Sequence, residues 1–131
     1  MNQPKLNVDE GKLNEFMGKA LADMGAAANM SLILIGDRLG LYKAMAGAGP
    51  LTSQELATET GTSERYVREW LSAQAAGGYV SFDAAADKFT LPDEQAMALA
   101  LDNSPAFIPG AYQIIASTVL DEPKLRAAAL A

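Results

Sequence analysis

Along residues 51–91 the spacing of apolar positions changes from helical to alternating, which predicts two short helices followed by a hairpin. Thr52 and Glu55 have the spacing of a capping box, in which each side chain satisfies a backbone donor left free at a helix start. Leu51 and Leu56 stand at the flanking positions of a hydrophobic staple. A helix is therefore expected from Ser53, ended by Gly61 in a left-handed conformation. A second is expected from a Ser63 cap to about Ala76, closed by Gly77 and Gly78. Within it Val67, Trp70, Leu71, Gln74 and Ala75 share a buried stripe, while Glu64, Arg65, Arg68 and Glu69 fall on the other side. Residues 79–82 and 89–91 have the aromatic and β-branched character of strands, separated by a small polar turn at 83–88 and stopped by Pro92. The pattern is that of a winged helix-turn-helix in a mainly α fold, its wing a two-stranded β hairpin.

The flanking segments carry further helices. Residues 1–11 are polar and are expected to form a flexible N-terminus. In 12–50, Leu13, Phe16, Met17, Ala20, Leu21 and Met24 form one apolar stripe. Met30, Ile33, Leu34, Leu41, Tyr42 and Met45 form another, which stops at Gly47, Ala48, Gly49 and Pro50. The pattern leaves open whether Gly25 and Gly36 interrupt one long helix or separate two. In 92–131 a short helix is expected at 93–101, a second from about Pro109 to Leu120, and the start of a third from Glu122 onward. The stretch 104–120 contains no charged residue. A helix apolar on most sides needs a cover, and a small winged-helix core lacks the surface to cover both this stretch and the stripe at 13–24. A homodimer is therefore expected, with Leu13, Phe16, Met17, Leu21, Met24, Ile114 and Val119 at its interface.

Composition narrows the function classes. The 131 residues, 50% apolar and 20% charged, suffice for one folded domain with a modest core. There is no cysteine and no histidine, so thiolate and imidazole ligands and the usual general base are missing, and no metal site is expected. The most apolar run, 26–35, contains Asn29 and Ser31 and falls well short of the roughly 20 residues that span a bilayer. No membrane contact is expected, and without a charged-then-apolar leader before Gly11 a cytoplasmic location is expected. Ten basic against sixteen acidic residues give a net charge of -6. Within 51–91, Arg65, Arg68 and Lys88 face Glu55, Glu59, Glu64, Glu69, Asp83 and Asp87. Nucleic-acid binding draws its free energy largely from counterion release at a basic face, and this face is acidic.

The segments IGDRLGLYKAMAGAGPLTSQELATETGTSERYVREWLSAQAAGGYV, FTLPDEQAMAL and SPAFIPGAYQ, in that order, resemble the N-terminal region of a bacterial family of S-adenosylmethionine-dependent methyltransferases. In that family a winged-helix domain precedes a Rossmann-like catalytic domain. The similarity runs from about residue 13 to residue 125, and the order of GDRLGLY, ERYVREWL and PAFIPGA makes it specific. The resemblance implies a dimerisation and substrate-covering module, not catalytic by itself, in a protein that acts on a small-molecule substrate. It also implies that Phe107, Tyr112 and Gln113 contribute to the mouth of a substrate pocket, with packing at a dimer interface as an equal alternative. S-adenosylmethionine is implied for the full-length protein and no cofactor for this chain. Its site requires a strand, a glycine-rich turn and an acid for the ribose. Gly47 and Gly49 lie between helices, and Gly77 and Gly78 lie between a helix and a strand.

The alternative is a stand-alone dimeric transcriptional regulator that reads DNA through Thr62, Ser63, Arg65 and Arg68 on the exposed side of the second helix. Against it, Glu64 with Arg68 and Arg65 with Glu69 are each four apart, which gives both arginines a carboxylate partner on their own helix. Trp70 is assigned to the core, and Asp37 and Arg38 to structural roles. The acid pairs Asp9 with Glu10, Asp93 with Glu94 and Asp121 with Glu122 fall at helix starts or exposed ends, where the helix dipole rather than acid–base chemistry accounts for them. No catalytic residue is expected in this chain.

Overall fold

Residues 4–130 are described by a computed structural model. The expectations for 1–3 and for 131 lie outside the described residues. Residues 4–9 have no regular secondary structure, and the first helix starts at Glu10, inside the stretch expected to be flexible. The elements run α1 (Glu10–Arg38), α2 (Leu41–Met45), α3 (Ser53–Thr60), α4 (Glu64–Ala76), β1 (Ser81–Asp83), β2 (Lys88–Thr90), α5 (Asp93–Leu99), α6 (Pro109–Leu120) and α7 (Glu122–Ala129).

The first amino-terminal stripe and Met30, Ile33 and Leu34 of the second share one helix, whereas Leu41, Tyr42 and Met45 fall on α2, beyond a turn at Gly40 with φ 69°. α1 is continuous over 29 residues, which at 1.5 Å per residue is about 43 Å. Asp9 caps it by accepting from the Lys12 N–H at 3.1 Å. Gly36 is not a break but a contact. A Cβ there would stand 2.5 Å from both Trp70 Cζ2 and Tyr42 Cε2, so the missing side chain lets α1 lie directly on these two rings.

α3 starts with the expected capping box. Thr52 Oγ1 accepts from the Glu55 N–H at 3.1 Å, and Glu55 Oε2 accepts from the Thr52 N–H at 2.8 Å. Gly61 ends the helix with φ 65°. α4 then runs as expected, but its start is held differently. Ser63 occupies the cap position without a side-chain hydrogen bond. The turn is fixed by backbone bonds instead, from Thr62 N to Ala57 O and from Val67 N to Ser63 O, each 3.0 Å.

The wing is antiparallel, with Ser81 opposite Thr90, Phe82 opposite Phe89 and Asp83 opposite Lys88. Its first strand begins later than the alternation predicts. The N–H groups of Tyr79 and Val80 both go to Gln74 O, so these residues close α4 and have no donor left for the sheet. Leu51 adds a one-residue bridge to Phe89, with a 2.8 Å bond in each direction. α5 ends at Leu99 rather than Leu101, and the Ala98 carbonyl then accepts from the Ile108 N–H at 2.9 Å, which sets the entry to α6.

The core lies where α2, α3, α4, α5 and the wing meet the carboxy-terminal end of α1. Ile33, Tyr42, Leu56, Trp70, Leu71 and Phe89 are all buried there. Of the predicted α4 stripe, Val67, Trp70, Leu71 and the polar Gln74 are buried, and Ala75 is half-buried at its edge. Tyr42 packs edge-on against Trp70 at 5.0 Å between ring centroids. Trp70 Nε1 donates to the Leu32 carbonyl at 2.8 Å. Gln74 joins two elements: its Oε1 accepts from the Tyr42 hydroxyl, and its Nε2 donates to Asn29 Oδ1 at 2.8 Å. Among the described residues no helix is long and apolar enough to cross a membrane.

Candidate protein interface and ligand cleft

Two features remain outside this core. The first is an apolar surface on α1 and α6. α6 packs against α1, so the uncharged stretch is covered in part by its own domain. Its outward side is bare: Ile114 is 69% and Val119 65% exposed. The amino-terminal part of α1 is bare as well, with Phe16 at 64% and Leu13, Met17, Leu21 and Met24 also exposed. All seven residues expected at an interface therefore present apolar side chains to solvent in the single chain.

The scale of this exposure is large. The chain shows 9234 Å² of accessible surface at a mass of 13.8 kDa. A compact monomer of that mass exposes about 6,600 Å², and a standard interface buries about 800 Å² per partner. The excess is enough for more than one such contact.

The second feature is a cleft of about 650 Å³ between α1, α4 and α6. Its walls are built from Gly25 and Ala26 on α1 and from Ala73, Ala76 and Gly77 at the end of α4. Polar groups reach it at three places: Asn29 from α1, Tyr79 from the turn after α4, and Tyr112 from α6. The Tyr79 and Tyr112 hydroxyls are 2.7 Å apart and tie α6 to the domain. Burial, reinforced by the bond to Tyr79, pushes the Tyr112 phenol up to about 12. Tyr42, deeper in the core, is raised further, again mainly by burial.

Of the three residues expected at a pocket mouth, Tyr112 lines this cleft. Phe107 is half-buried in the turn before α6, and Gln113 is exposed on α6; neither is among the lining residues. Sequence reasoning missed Asn29 and Tyr79. Asn29 left a visible signal as a polar break in an apolar run, whereas Tyr79 had the appearance of a strand residue.

The four residues of the DNA-reading alternative lie together at the start of α4 without forming a basic face. Arg68 Nε pairs with Glu64 Oε1 at 3.6 Å, and Glu64 also accepts from Ser53 Oγ at 2.7 Å. The expected Arg65–Glu69 pair is not formed among the described residues; the weaker order of charges along the helix offers little to hold it. Thr62 Oγ1 lies 2.7 Å from Thr60 Oγ1 and is thereby engaged within the turn. Beside Thr62 and Ser63 sits an apolar hollow of about 340 Å³ formed by Ile35, Leu39, Tyr66 and Val67.

Comparison with known proteins agrees with this architecture. The profile of a family described as the Rv2258c-like winged HTH domain matches residues 26–101. No match is found among curated proteins. Among solved structures, PigF with SAH is similar at TM-score 0.65 and 15% identity, over 95% of this chain and 33% of that one. The mitomycin 7-O-methyltransferase MmcR is similar at TM-score 0.67 and 21% identity, over 79% and 30%. A putative O-methyltransferase from Nostoc punctiforme is similar at TM-score 0.67 and 23% identity, over 86% and 34%. At these identities the likeness is one of fold, and this chain spans about a third of the length of each.

Proposed function

The chain belongs to the Rv2258c-like winged HTH domain family, and from that premise we propose that it is the dimerisation and substrate-lid domain of an S-adenosylmethionine-dependent methyltransferase. The observation that carries this reading is the bare apolar face of α1 and α6 on a domain whose fold matches about a third of the length of MmcR and of the putative O-methyltransferase from Nostoc punctiforme. Burial of such a face against a second copy removes apolar area from water at about 25 cal/mol per Å² before the costs of association. The helices so joined close over a small-molecule substrate, exclude water and hold it in line with the methyl donor. The domain contributes position, and the chemistry belongs to other parts of a longer polypeptide.

The described residues do not fit S-adenosylmethionine. Their sheet is the two-stranded antiparallel wing, without a strand that leads through a glycine-rich turn into a helix. The cofactor is therefore proposed for the longer protein only, and the cytoplasm as its location.

Light scattering after size exclusion tests the association. The chain is expected at twice its 13.8 kDa mass, and Phe16→Glu with Ile114→Glu is expected at the monomer mass. A monomeric wild type at micromolar concentration overturns the dimer. The enzymatic half is tested by calorimetry with S-adenosylmethionine on the longer polypeptide, where absence of binding overturns it. The regulator reading predicts salt-sensitive duplex binding weakened by Arg65→Ala or Arg68→Ala. The acidic surroundings and the apolar hollow beside Thr62 and Ser63 disfavour it.

A further inference from the structure

We propose that the cleft between α1, α4 and α6 is a binding site for an uncharged, planar aromatic molecule bearing a carbonyl or similar hydrogen-bond-accepting oxygen. The inference concerns the helical domain by itself and does not rest on the methyltransferase reading.

The first argument is charge. No residue that lines the cleft is acidic or basic, and an ion taken into it would lose hydration without gaining a partner. The second is shape. At about 650 Å³ the space falls within the roughly 300–1,000 Å³ of small-molecule sites. Six of its eleven lining residues are glycine or alanine, and Leu32 and Ile33 add aliphatic surface, so most of the lining is low and apolar and suits a flat ring system. A Cβ added at Gly25 would meet nothing within 4 Å, which marks open space beside α1.

The third argument is the sense of the hydrogen bonds. Asn29 spends its carbonyl oxygen on Gln74, and among the described residues nothing accepts from its amide nitrogen. That nitrogen lies 3.8 Å from where a Gly77 Cβ would stand, at the wall of the cleft. The Tyr79–Tyr112 pair uses one of its two hydroxyl hydrogens internally and leaves the other free. The Asn29 amide nitrogen is a donor only, and the tyrosine pair offers one further hydrogen beside its lone pairs, so a ligand that satisfies both donors supplies acceptors. A flat ring system with an exocyclic oxygen meets all three conditions.

Acridone, a neutral planar fluorophore with one carbonyl, is the probe. Its fluorescence is expected to titrate saturably against the chain, with anthracene-9-carboxylate bound about tenfold more weakly because of its charge. Ala73→Phe fills the cleft and is expected to abolish acridone binding. Ala76→Leu, at a more exposed position of the same wall, serves if the first variant fails to fold. Asn29→Asp keeps the acceptor for Gln74 and removes the donors, with an expected loss of about fivefold. Phe16→Glu is expected to leave the titration unchanged. Absence of saturable binding overturns the proposal, as does binding that is unaffected by both wall variants. Binding that follows Phe16→Glu overturns it too, since the dye then reports the outer face. Dimer mass is read separately by light scattering, so either result stands without the other.

Discussion

At Gly36 a hydrogen in place of a methyl group decides how closely α1 approaches Trp70 and Tyr42. Gly36→Ala gains up to about 1 kcal/mol of helix propensity but forces apart two well-packed rings, which costs about 1–3 kcal/mol. Net destabilisation is expected in urea unfolding, because backbone-anchored rings have no flexible end to yield. Gln74 is the residue on which the buried polar chain depends. Gln74→Leu leaves the Tyr42 hydroxyl without its acceptor and Asn29 Oδ1 without its donor, at an expected loss of about 2–3 kcal/mol. Adding Tyr42→Phe is expected to recover part of this, a coupling that a double-mutant cycle measures. Tyr112 gives a pH dependence. Its phenol is raised from 10.0 to about 12, so the fold favours the neutral form. That contribution is complete below the usual value and is lost as pH rises through the folded one. Melting temperature is expected to fall between pH 10 and 12, with a shallower fall in Tyr112→Phe.

Among the elements, α3 has the most self-sufficient start. Thr52→Ala removes one arm of its capping box and is expected to cost about 1 kcal/mol in chemical denaturation. The other arm is sensitive to acid. The Thr52 N–H, helped by Lys88, holds the Glu55 carboxyl below its usual value. The stability it contributes is present above that usual value and is lost as pH falls through the depressed one. The wing shows the opposite case, an element whose start is set by its neighbour. Gln74 O takes the N–H groups of Tyr79 and Val80, and pairing can begin only at Ser81. Continuity of α1 follows the same logic. Gly25 and Gly36 each weaken a helix locally, but contacts with α6 and with the core hold the helix across both.

For the whole molecule, the excess surface and the bare α1 and α6 faces act together. An apolar patch of this extent is a docking surface or, left in water, an aggregation hazard. In the dimer reading, folding is linked to association, so melting temperature depends on protein concentration. A tenfold dilution is expected to lower it in the wild type and to leave Phe16→Glu with Ile114→Glu unchanged. Tyr112 lines the cleft, and Ile114 and Val119 of the same helix are bare, so α6 bears on both sites. Its hold on the domain passes through the Tyr79–Tyr112 bond.

The local sequence determined the helix-turn-helix and its wing, the capping box at Thr52, the left-handed Gly61 and the burial of Trp70. Each depends on groups within one or two turns, where side-chain spacing and backbone conformation are nearly sufficient. The excess of apolar helix was legible for the same reason, since period and charge are properties of a segment. Only the tertiary structure decided what Asn29 and Tyr79 do. Asn29 meets Gln74 across 45 positions and Tyr79 meets Tyr112 across 33, and no local spacing encodes such a meeting. Whether Gly36 breaks a helix or seats it on a ring likewise depends on what packs opposite, and that is a property of the assembled core.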